Sequence, residues 1–188
     1  MKVGFASPSR VLAVVAVMAV ILVLWLLWTP SASGQLPVQV FPKVNVETGG
    51  ALNIVGGTSG SNTIDFGDMG PGQTLEKTLS LGITANSVWH LTVSKNQDLT
   101  DSLIVGTIPS ANLTFKSSGD AGGTYATSST EFGSLGSPSS VVSSGSATGG
   151  STVNVAYKLI IPAGQPSNDP LLSYYSAVHT YTLVVGSP

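Results

Sequence analysis

The side chains that could move protons near neutral pH are two histidines, His90 and His179. His90 lies on the strand face opposite Trp89, which predicts a position facing solvent or a loop. His179 shares a face with Tyr181 and Leu183, which predicts a half-buried or hydrogen-bonded histidine in the core. No nucleophile elbow, phosphate-binding loop or zinc-binding helix motif accompanies them. A Ser-His-Asp set assembled in space stays open, but the sequence favours a chain that is not an enzyme.

Four aspartates are the candidate metal ligands. Asp65 and Asp68 flank Phe66-Gly67, and Asp98 and Asp101 lie in a polar connection. Carboxylate oxygens from loops are the ligands that Ca²⁺ takes. Aspartate is also an ordinary turn residue, and no loop here has the dense ligand spacing of a known calcium motif. The sequence therefore favours turns over metal binding, and we expect no cofactor.

One short motif predicts a covalent modification. Asn112-Leu113-Thr114 is an acceptor sequence for N-glycosylation on an exported chain. Patterns of three residues often arise by chance, and occupancy also depends on the glycosylation machinery of the cell. Asn112 is therefore a candidate glycosylation site.

Composition excludes several kinds of partner and site. The 188 residues carry 7 Lys+Arg against 9 Asp+Glu, for a formal net charge of −2, and only 9% of them are charged. Arg10 is the single arginine, so the chain beyond it lacks the two-pronged grip on phosphate that arginine supplies. Nucleic acid is therefore not an expected partner. The sequence has no cysteine, which excludes disulfides and thiolate metal sites.

Residues 1–33 have the features of an export signal. A basic start precedes an uncharged apolar run, residues 11–28, which small residues follow. The run is longer than the usual signal core of about 7–15 residues and approaches the roughly 20 that span a bilayer. A signal peptide cut near Ser33 is favoured, a retained anchor is the alternative, and a prepilin-type leader cut at Gly4-Phe5 is the third option. The sequence predicts an extracellular, cell-surface location for residues 34–188.

The remaining chain alternates apolar and polar side chains with the two-residue period of β-strands. About eight short strands separated by turn signals are expected, which is the pattern of an all-β, antiparallel, Ig-like sandwich. Residues 75–83, 89–93, 112–115, 152–161 and 177–185 are predicted strands, and residues 38–46 and 52–66 supply two or three more. The expected motif and core residues are Trp89, Leu91, Tyr157, Tyr181 and Leu183, with Trp89 and Tyr157 at the centre.

Two stretches rich in glycine and serine predict flexible segments. Residues 56–61 are the expected loop or hairpin tip. Residues 134–151, interrupted only by Val141 and Val142, predict a long surface loop because such a composition gains little by packing. A binding loop is the alternative for this tract.

Four pieces of sequence occur in an order that resembles a known family of surface domains: Ile64–Met69, Trp89–Ser94, Ala111–Phe115 and Tyr175–Leu183. Together they resemble the WxL-type domains of Gram-positive bacteria, and the Asp-Phe-Gly followed by a Pro-Gly turn is similar to other prokaryotic Ig-like surface domains. The resemblance implies a secreted β-sandwich held noncovalently at the cell wall, with Trp89 and Leu91 matching the first motif. Tyr181 stands where that family carries its second tryptophan, a departure that bears on peptidoglycan attachment rather than on the fold.

Residues 35–46 form the predicted assembly arm. The segment is extended and apolar in alternation, and Pro37 and Pro42 interrupt it, which suits an edge strand. Such an arm could add a strand to an open sheet edge of a neighbouring copy. Pairing within its own domain, or service as a stiff spacer, is the alternative. The arm residues that carry the pattern are Gln35, Val38, Val40, Phe41, Val44 and Val46.

These features predict a non-enzymatic surface protein whose sandwich assembles with other copies of itself into a filament, pilus or envelope layer. Copies that carry little charge repel one another weakly. The alternative is a WxL-like module for adhesion or for binding cell-wall glycan, although Trp89 is expected in the core rather than on an exposed platform. Membrane contact is expected only through residues 11–28, if the leader is retained.

Overall fold

The computed structural model describes residues 36–46, 49–57, 62–101, 103, 106–165 and 174–186. The predicted leader, Gln35 of the arm and most of the predicted loop at 56–61 lie outside these ranges. Within them, no helix is long and apolar enough to cross a bilayer. The described chain is nearly all β-strand, with a single turn of 3-10 helix at Ser110–Asn112.

The strands form two sheets. In chain order they are β1 (Leu36–Val46), β2 (Gly50–Gly56), β3 (Ile64–Met69), β4 (Thr74–Ala85), β5 (Trp89–Lys95), β6 (Leu99–Asp101), β7 (Gly106–Ile108), β8 (Leu113–Gly119), β9 (Thr124–Tyr125), β10 (Thr130–Glu131), β11 (Gly133–Ser134), β12 (Ser139–Gly145), β13 (Thr148–Ile160) and β14 (Tyr175–Val185). The first sheet has the order β3-β1-β14-β5-β12-β9, with β11 beside β5 and the β6–β7 hairpin beside β14. The second has the order β10-β8-β13-β4-β2.

Alternating side chains build one core between the sheets. In β13 the inward residues from Val153 to Leu159 are fully buried while their neighbours are half-buried, and β4 shows the same alternation from Leu79 to Ala85. Trp89 of β5 and Tyr181 of β14 are fully buried from the other sheet. Burial of each large apolar side chain in this core stabilises the folded state by about 1.5–3 kcal/mol. The prediction of an all-β sandwich is confirmed.

The strand count is higher than the sequence predicts. Fourteen strands occur in the described ranges, of which nine have at least six residues and five have two or three. The short strands are β6, β7, β9, β10 and β11. A strand of two residues cannot display a two-residue alternation, so hydrophobic periodicity finds only the longer set.

The sheet pairing is not antiparallel throughout. β1 pairs with β14 in parallel, and so does β11 with β5. A parallel pair needs a long connection, and almost the whole domain lies between β1 and β14. Alternation has the same period in both kinds of pairing, so the sequence pattern could not distinguish them.

The serine-rich tract at 134–151 is not the flexible loop that its composition predicts. It contains Ser134 of β11, all of β12 and the first residues of β13, and β12 pairs with β5 on one side and β9 on the other. Val141 and Val142 are both fully buried, although they are adjacent in sequence. A register shift between Ser140 and Val142 breaks the regular alternation there. Backbone pairing and two valines are enough to order a tract whose other side chains are small.

Candidate functional site

The predicted assembly arm is strand β1, which lies inside its own sheet. It runs parallel to β14, from Val38 opposite Tyr175 to Val46 opposite Leu183. Its other side pairs antiparallel with β3 from Leu36 to Val40. In this structure the arm therefore completes its own domain.

The two prolines of β1 lie where the strand has one neighbour only. Pro37 is paired with β3 before the pairing with β14 begins, and Pro42 is paired with β14 after the pairing with β3 has ended. Proline cannot donate to a second ladder. The sequence of β1 therefore fits a strand that is paired on both sides only over Val38 to Val40.

Side chains of β1 divide between the core and the outer face. Val38 and Val40 are fully buried, whereas Val44 is 40% exposed and Val46 is half-buried. Phe41 is half-buried on the outer face, with its ring centroid 6.3 Å from that of Tyr174. The first part of the arm therefore supplies its apolar burial.

The junction after β1 crosses from the first sheet to the second between Val46 and Gly50. Gly49 has a φ of +67°, a conformation that favours glycine. At Gly50 a Cβ atom would lie 2.7 Å from the carbonyl oxygen of Thr84 and 2.9 Å from a methyl carbon of Val185. Two glycines thus make the crossing possible, one through backbone conformation and the other through close approach.

His179 of β14 lies at the centre of a buried aromatic cluster. Its side chain is fully buried, and its ring centroid lies 4.0 Å from that of Phe132 and 5.6 Å from that of Tyr157. The hydroxyl groups of Tyr157 and Tyr181 are 2.8 Å apart and share a hydrogen bond. Neither ring nitrogen of His179 has a hydrogen-bond partner among the described residues. His179 does lie on the inward face, but neither expected form is observed, because its side chain is fully buried rather than half-buried and makes no hydrogen bond among the described residues.

Burial keeps this cluster uncharged. Loss of solvent, together with the nearby positive charge of Lys95, lowers the pKa of His179 to about 3. Burial also raises the pKa of Tyr157, and that of Tyr181 lies well above its ordinary value for the same reason. At neutral pH the histidine is a neutral aromatic ring packed among other rings.

A small, partly open cavity of about 10 Å³ adjoins His179, and its lining includes Ser110 and Asp98. These residue types are those of a Ser-His-Asp set, which sequence spacing could not bring together. Asp98 forms an ion pair with Lys95, and no hydrogen bond joins it to the histidine. The cavity has room for about one water molecule. In this conformation the three side chains form no proton relay and enclose no space for a substrate.

Most of the candidate metal ligands are engaged in local contacts. The Oδ1 atom of Asp65 accepts a hydrogen bond of 2.8 Å from the N–H of Gly67, and that of Asp101 accepts one of 2.7 Å from the N–H of Leu103. Asp98 pairs with Lys95, while Asp68 is exposed on β3. In the described part of the chain, no three His, Cys, Asp or Glu side chains are grouped closely enough to hold a metal ion.

The motif residues all lie in the core. The indole N–H of Trp89 donates a hydrogen bond of 2.7 Å to the carbonyl oxygen of Ser146, and the ring packs against Gly145. Trp89 therefore has no exposed face on which a sugar ring could stack. The fully buried set is Trp89, Leu91, Tyr157, Tyr181 and Leu183.

Two other predicted positions lie near the surface. Asn112 is half-buried at the end of the 3-10 turn, and its backbone N–H donates to the carbonyl oxygen of Pro109 over 2.9 Å. His90 is half-buried rather than open to solvent, and its Nδ1 atom is shielded without a hydrogen-bond partner among the described residues.

No protein-family model matches this chain. No curated protein matches it either. Among solved structures, a family 123 glycoside hydrolase from Clostridium perfringens, described for glycolipid glycan hydrolysis, is similar over 80% of this chain at 12% identity, with a TM-score of 0.33. The chain spans only 24% of the length of that enzyme structure.

The likeness to a hydrolase corrects one prediction. The sequence favoured a chain that is not an enzyme, and a glycoside hydrolase now stands among the structures to which it is similar. The prediction that this chain is not an enzyme is therefore withdrawn. At 12% identity and a TM-score of 0.33, the likeness assigns no reaction or catalytic residue to this chain.

Proposed function

We propose that this chain is a surface-displayed β-sandwich subunit that assembles with copies of itself into a filament or envelope layer by exchanging strand β1. The observation that supports the proposal is the position of β1, the first strand of the domain, between β14 and β3. A strand at one end of a domain can leave its place and enter the same place in another copy. The exchanged strand then makes the same contacts as in its own domain, but with a neighbouring subunit.

The domain that holds its own β1 and the domain that holds the β1 of a neighbour differ little in contact energy. Val38 and Val40 would bury the same surface in a neighbouring copy as they bury in their own domain, and the register with β14 would be unchanged. The equilibrium between the exchanged and the unexchanged form then depends on the conformation of the junction at Gly49 and on the local concentration of copies. Subunits displayed together on a surface are concentrated, which favours exchange.

The low charge of the chain also supports self-association. With 9% charged residues and a formal net charge of −2, neighbouring copies repel each other weakly. The alternative of a module that binds cell-wall glycan gains no support from Trp89, because its ring is fully buried.

The position of β1 makes deletion of residues 35–46 a poor test of exchange. Removal of the strand would strip Val38 and Val40 from the core, leave β3 without the one strand it pairs with in the described ranges, and leave β14 unpaired on one side. A truncated chain would fail to assemble because it fails to fold. The test must leave β1 in place.

Paired cysteines can report which copy supplies β1, since the natural chain has none. Asn45 lies opposite Thr182, so the variant Asn45→Cys/Thr182→Cys places two thiols on paired strands. Exchange predicts a ladder of covalent multimers on a non-reducing denaturing gel of surface material from cells that make the full chain. The control Thr92→Cys/Thr182→Cys joins β5 to β14, which stay together in either arrangement. It should give monomers.

A single monomer band from both variants, in material that microscopy shows to be assembled, would contradict strand exchange. Assembly without exchange would then require another contact. Surface material that contains no assemblies at all would contradict the wider proposal.

A further inference from the structure

His179 combines full burial with two ring nitrogens that have no hydrogen-bond partner among the described residues. A neutral imidazole carries one N–H donor and one acceptor nitrogen. A buried polar group without a partner loses its hydrogen bonds to water and gains none in the protein, so it destabilises the fold. The ring therefore needs a partner from outside the described residues.

The ring borders the small, partly open cavity that lies at the base of the β6–β7 hairpin. Asp98 directly precedes β6, and Ser110 follows β7 in the 3-10 turn. Both line the cavity together with Gln97, so a carboxylate, a hydroxyl and an amide surround the same space as the histidine. The volume of about 10 Å³ accommodates about one water molecule. The cavity therefore combines the size of a water molecule with polar groups from more than one element.

The rest of the lining favours a neutral ligand over an ion. Lys95 and Asp98 form an ion pair with each other, so their charges are already balanced. Leu99 and Ile108, which form the first pair of the hairpin, and Phe132 beside the histidine ring are apolar. An ion in this space would lose its hydration without gaining an unpaired opposite charge. Water is a neutral molecule of the right size that both donates and accepts hydrogen bonds.

We infer that this cavity is a hydration site, in which one water molecule hydrogen-bonds to a ring nitrogen of His179 and to the polar side chains at the base of the β6–β7 hairpin. Water can donate to the ring or accept from it, so it suits either neutral tautomer. It links β14 to the segments on both sides of a hairpin whose backbone pairing with β14 is a single residue pair, Ser176 with Thr100. The site lies within one domain and does not depend on strand exchange.

Nuclear magnetic resonance of the full chain, purified in detergent, tests directly for the water. The chain has two histidines, so isotope labelling of histidine alone gives a spectrum of two rings, and the variant His90→Gln identifies the ring of His179. We expect a rotating-frame cross-peak between water and a carbon-bound proton of this ring. The sign of the cross-peak distinguishes a water molecule held beside the ring from magnetisation relayed through an exchanging proton.

Ser110→Val is the variant that should displace the water. It replaces the hydroxyl with a methyl group and adds a second methyl group to the cavity wall, so the cross-peak should be lost. Ser176→Val is the matched control, because Ser176 is also half-buried and lies on β14, on the face directed away from the core. The control should leave the cross-peak unchanged.

Urea unfolding in two backgrounds separates loss of the water from a change in packing. Ser110→Val should lower the unfolding midpoint of the natural chain, because displacement of the water leaves His179 without a partner. In the His179→Phe background the ring needs no partner, so the same substitution should shift the midpoint much less.

Absence of the water cross-peak from the natural chain would overturn the inference, whatever the variants show. A cross-peak that survives Ser110→Val would also contradict it, as would equal shifts of the unfolding midpoint with histidine and with phenylalanine at position 179.

Discussion

The phenolic oxygens of Tyr157 and Tyr181 meet at 2.8 Å in the core and join the two sheets by a buried hydrogen bond. Tyr157 belongs to β13 of the second sheet and Tyr181 to β14 of the first. Both side chains are fully buried. The bond is therefore a polar link between the two sheets within a largely apolar core.

Removal of one of these hydroxyl groups should destabilise the fold more than removal of both. Tyr157→Phe or Tyr181→Phe alone leaves a buried hydroxyl without a partner and should lower the free energy of unfolding by about 1–3 kcal/mol. The double variant leaves no unpaired hydroxyl, so its free energy of unfolding should fall by less than that of either single variant. Urea unfolding of the four proteins measures the coupling. Strictly additive losses would show that the two groups do not interact.

Gly145 should tolerate no side chain because of its contact with Trp89. A Cβ atom at this position would lie 2.2 Å from the indole ring. Gly145→Ala should therefore lower the free energy of unfolding by about 1–3 kcal/mol or more through overpacking. Gly136→Ala is the control, because Gly136 is exposed and has no atom within 4 Å of the added carbon. Equal stabilities of the two variants would contradict the close contact.

His179 should make the fold sensitive to acid. The folded state holds its pKa at about 3, while an unfolded chain protonates histidine near 6.5. Between these values the unfolded state binds more protons, so stability is lost as the pH falls from about 6.5 to 3, by as much as about 1.4 kcal/mol per pH unit. The nearest charged groups are those of the ion pair between Lys95 and Asp98, which lines the same small cavity.

The comparison with His179→Leu isolates the histidine from the other titrating groups. Urea unfolding at pH 7, 6, 5 and 4 should give a smaller slope for the variant than for the natural chain. The difference between the two slopes belongs to His179. Parallel curves would exclude the histidine as the source of the acid sensitivity.

Two valines of β1 should differ in their importance although both belong to the same strand. Val40 is fully buried and Val44 is 40% exposed. Val40→Ala should lower the free energy of unfolding by about 2 kcal/mol, while Val44→Ala should change it by less than about 0.5 kcal/mol. Urea unfolding of the purified variants measures this contrast. Equal effects would place β1 outside the core.

The long strands and the centre of the core could be predicted because their residues alternate. Val153, Val155 and Tyr157 all point inward, as the pattern indicates. The serine-rich strand β12 escaped prediction because its order comes from backbone pairing and from two adjacent valines, not from alternation. Amino-acid composition indicates how much free energy side chains can gain by packing. It does not indicate how much order the backbone gains by pairing in a sheet.

The candidate sites were less predictable than the fold. The alternation placed His179 on an inward face, but it could not show that Ser110 and Asp98 lie around the same small cavity. The arm pattern likewise indicated an extended strand, and the two prolines indicated an edge. The parallel pairing with β14 depends on contacts between the two ends of the domain, which no local pattern encodes.

The parallel pairing of β1 with β14 also determines how the domain bears mechanical load. The first and last strands run side by side in the same direction over nine paired positions, from Val38–Tyr175 to Val46–Leu183. A pull applied at the two ends of the domain therefore slides one strand lengthwise past the other. All the hydrogen bonds between them are then loaded together rather than opened one after another. A domain with this geometry resists a pull along the direction of these two strands more strongly than a pull across them.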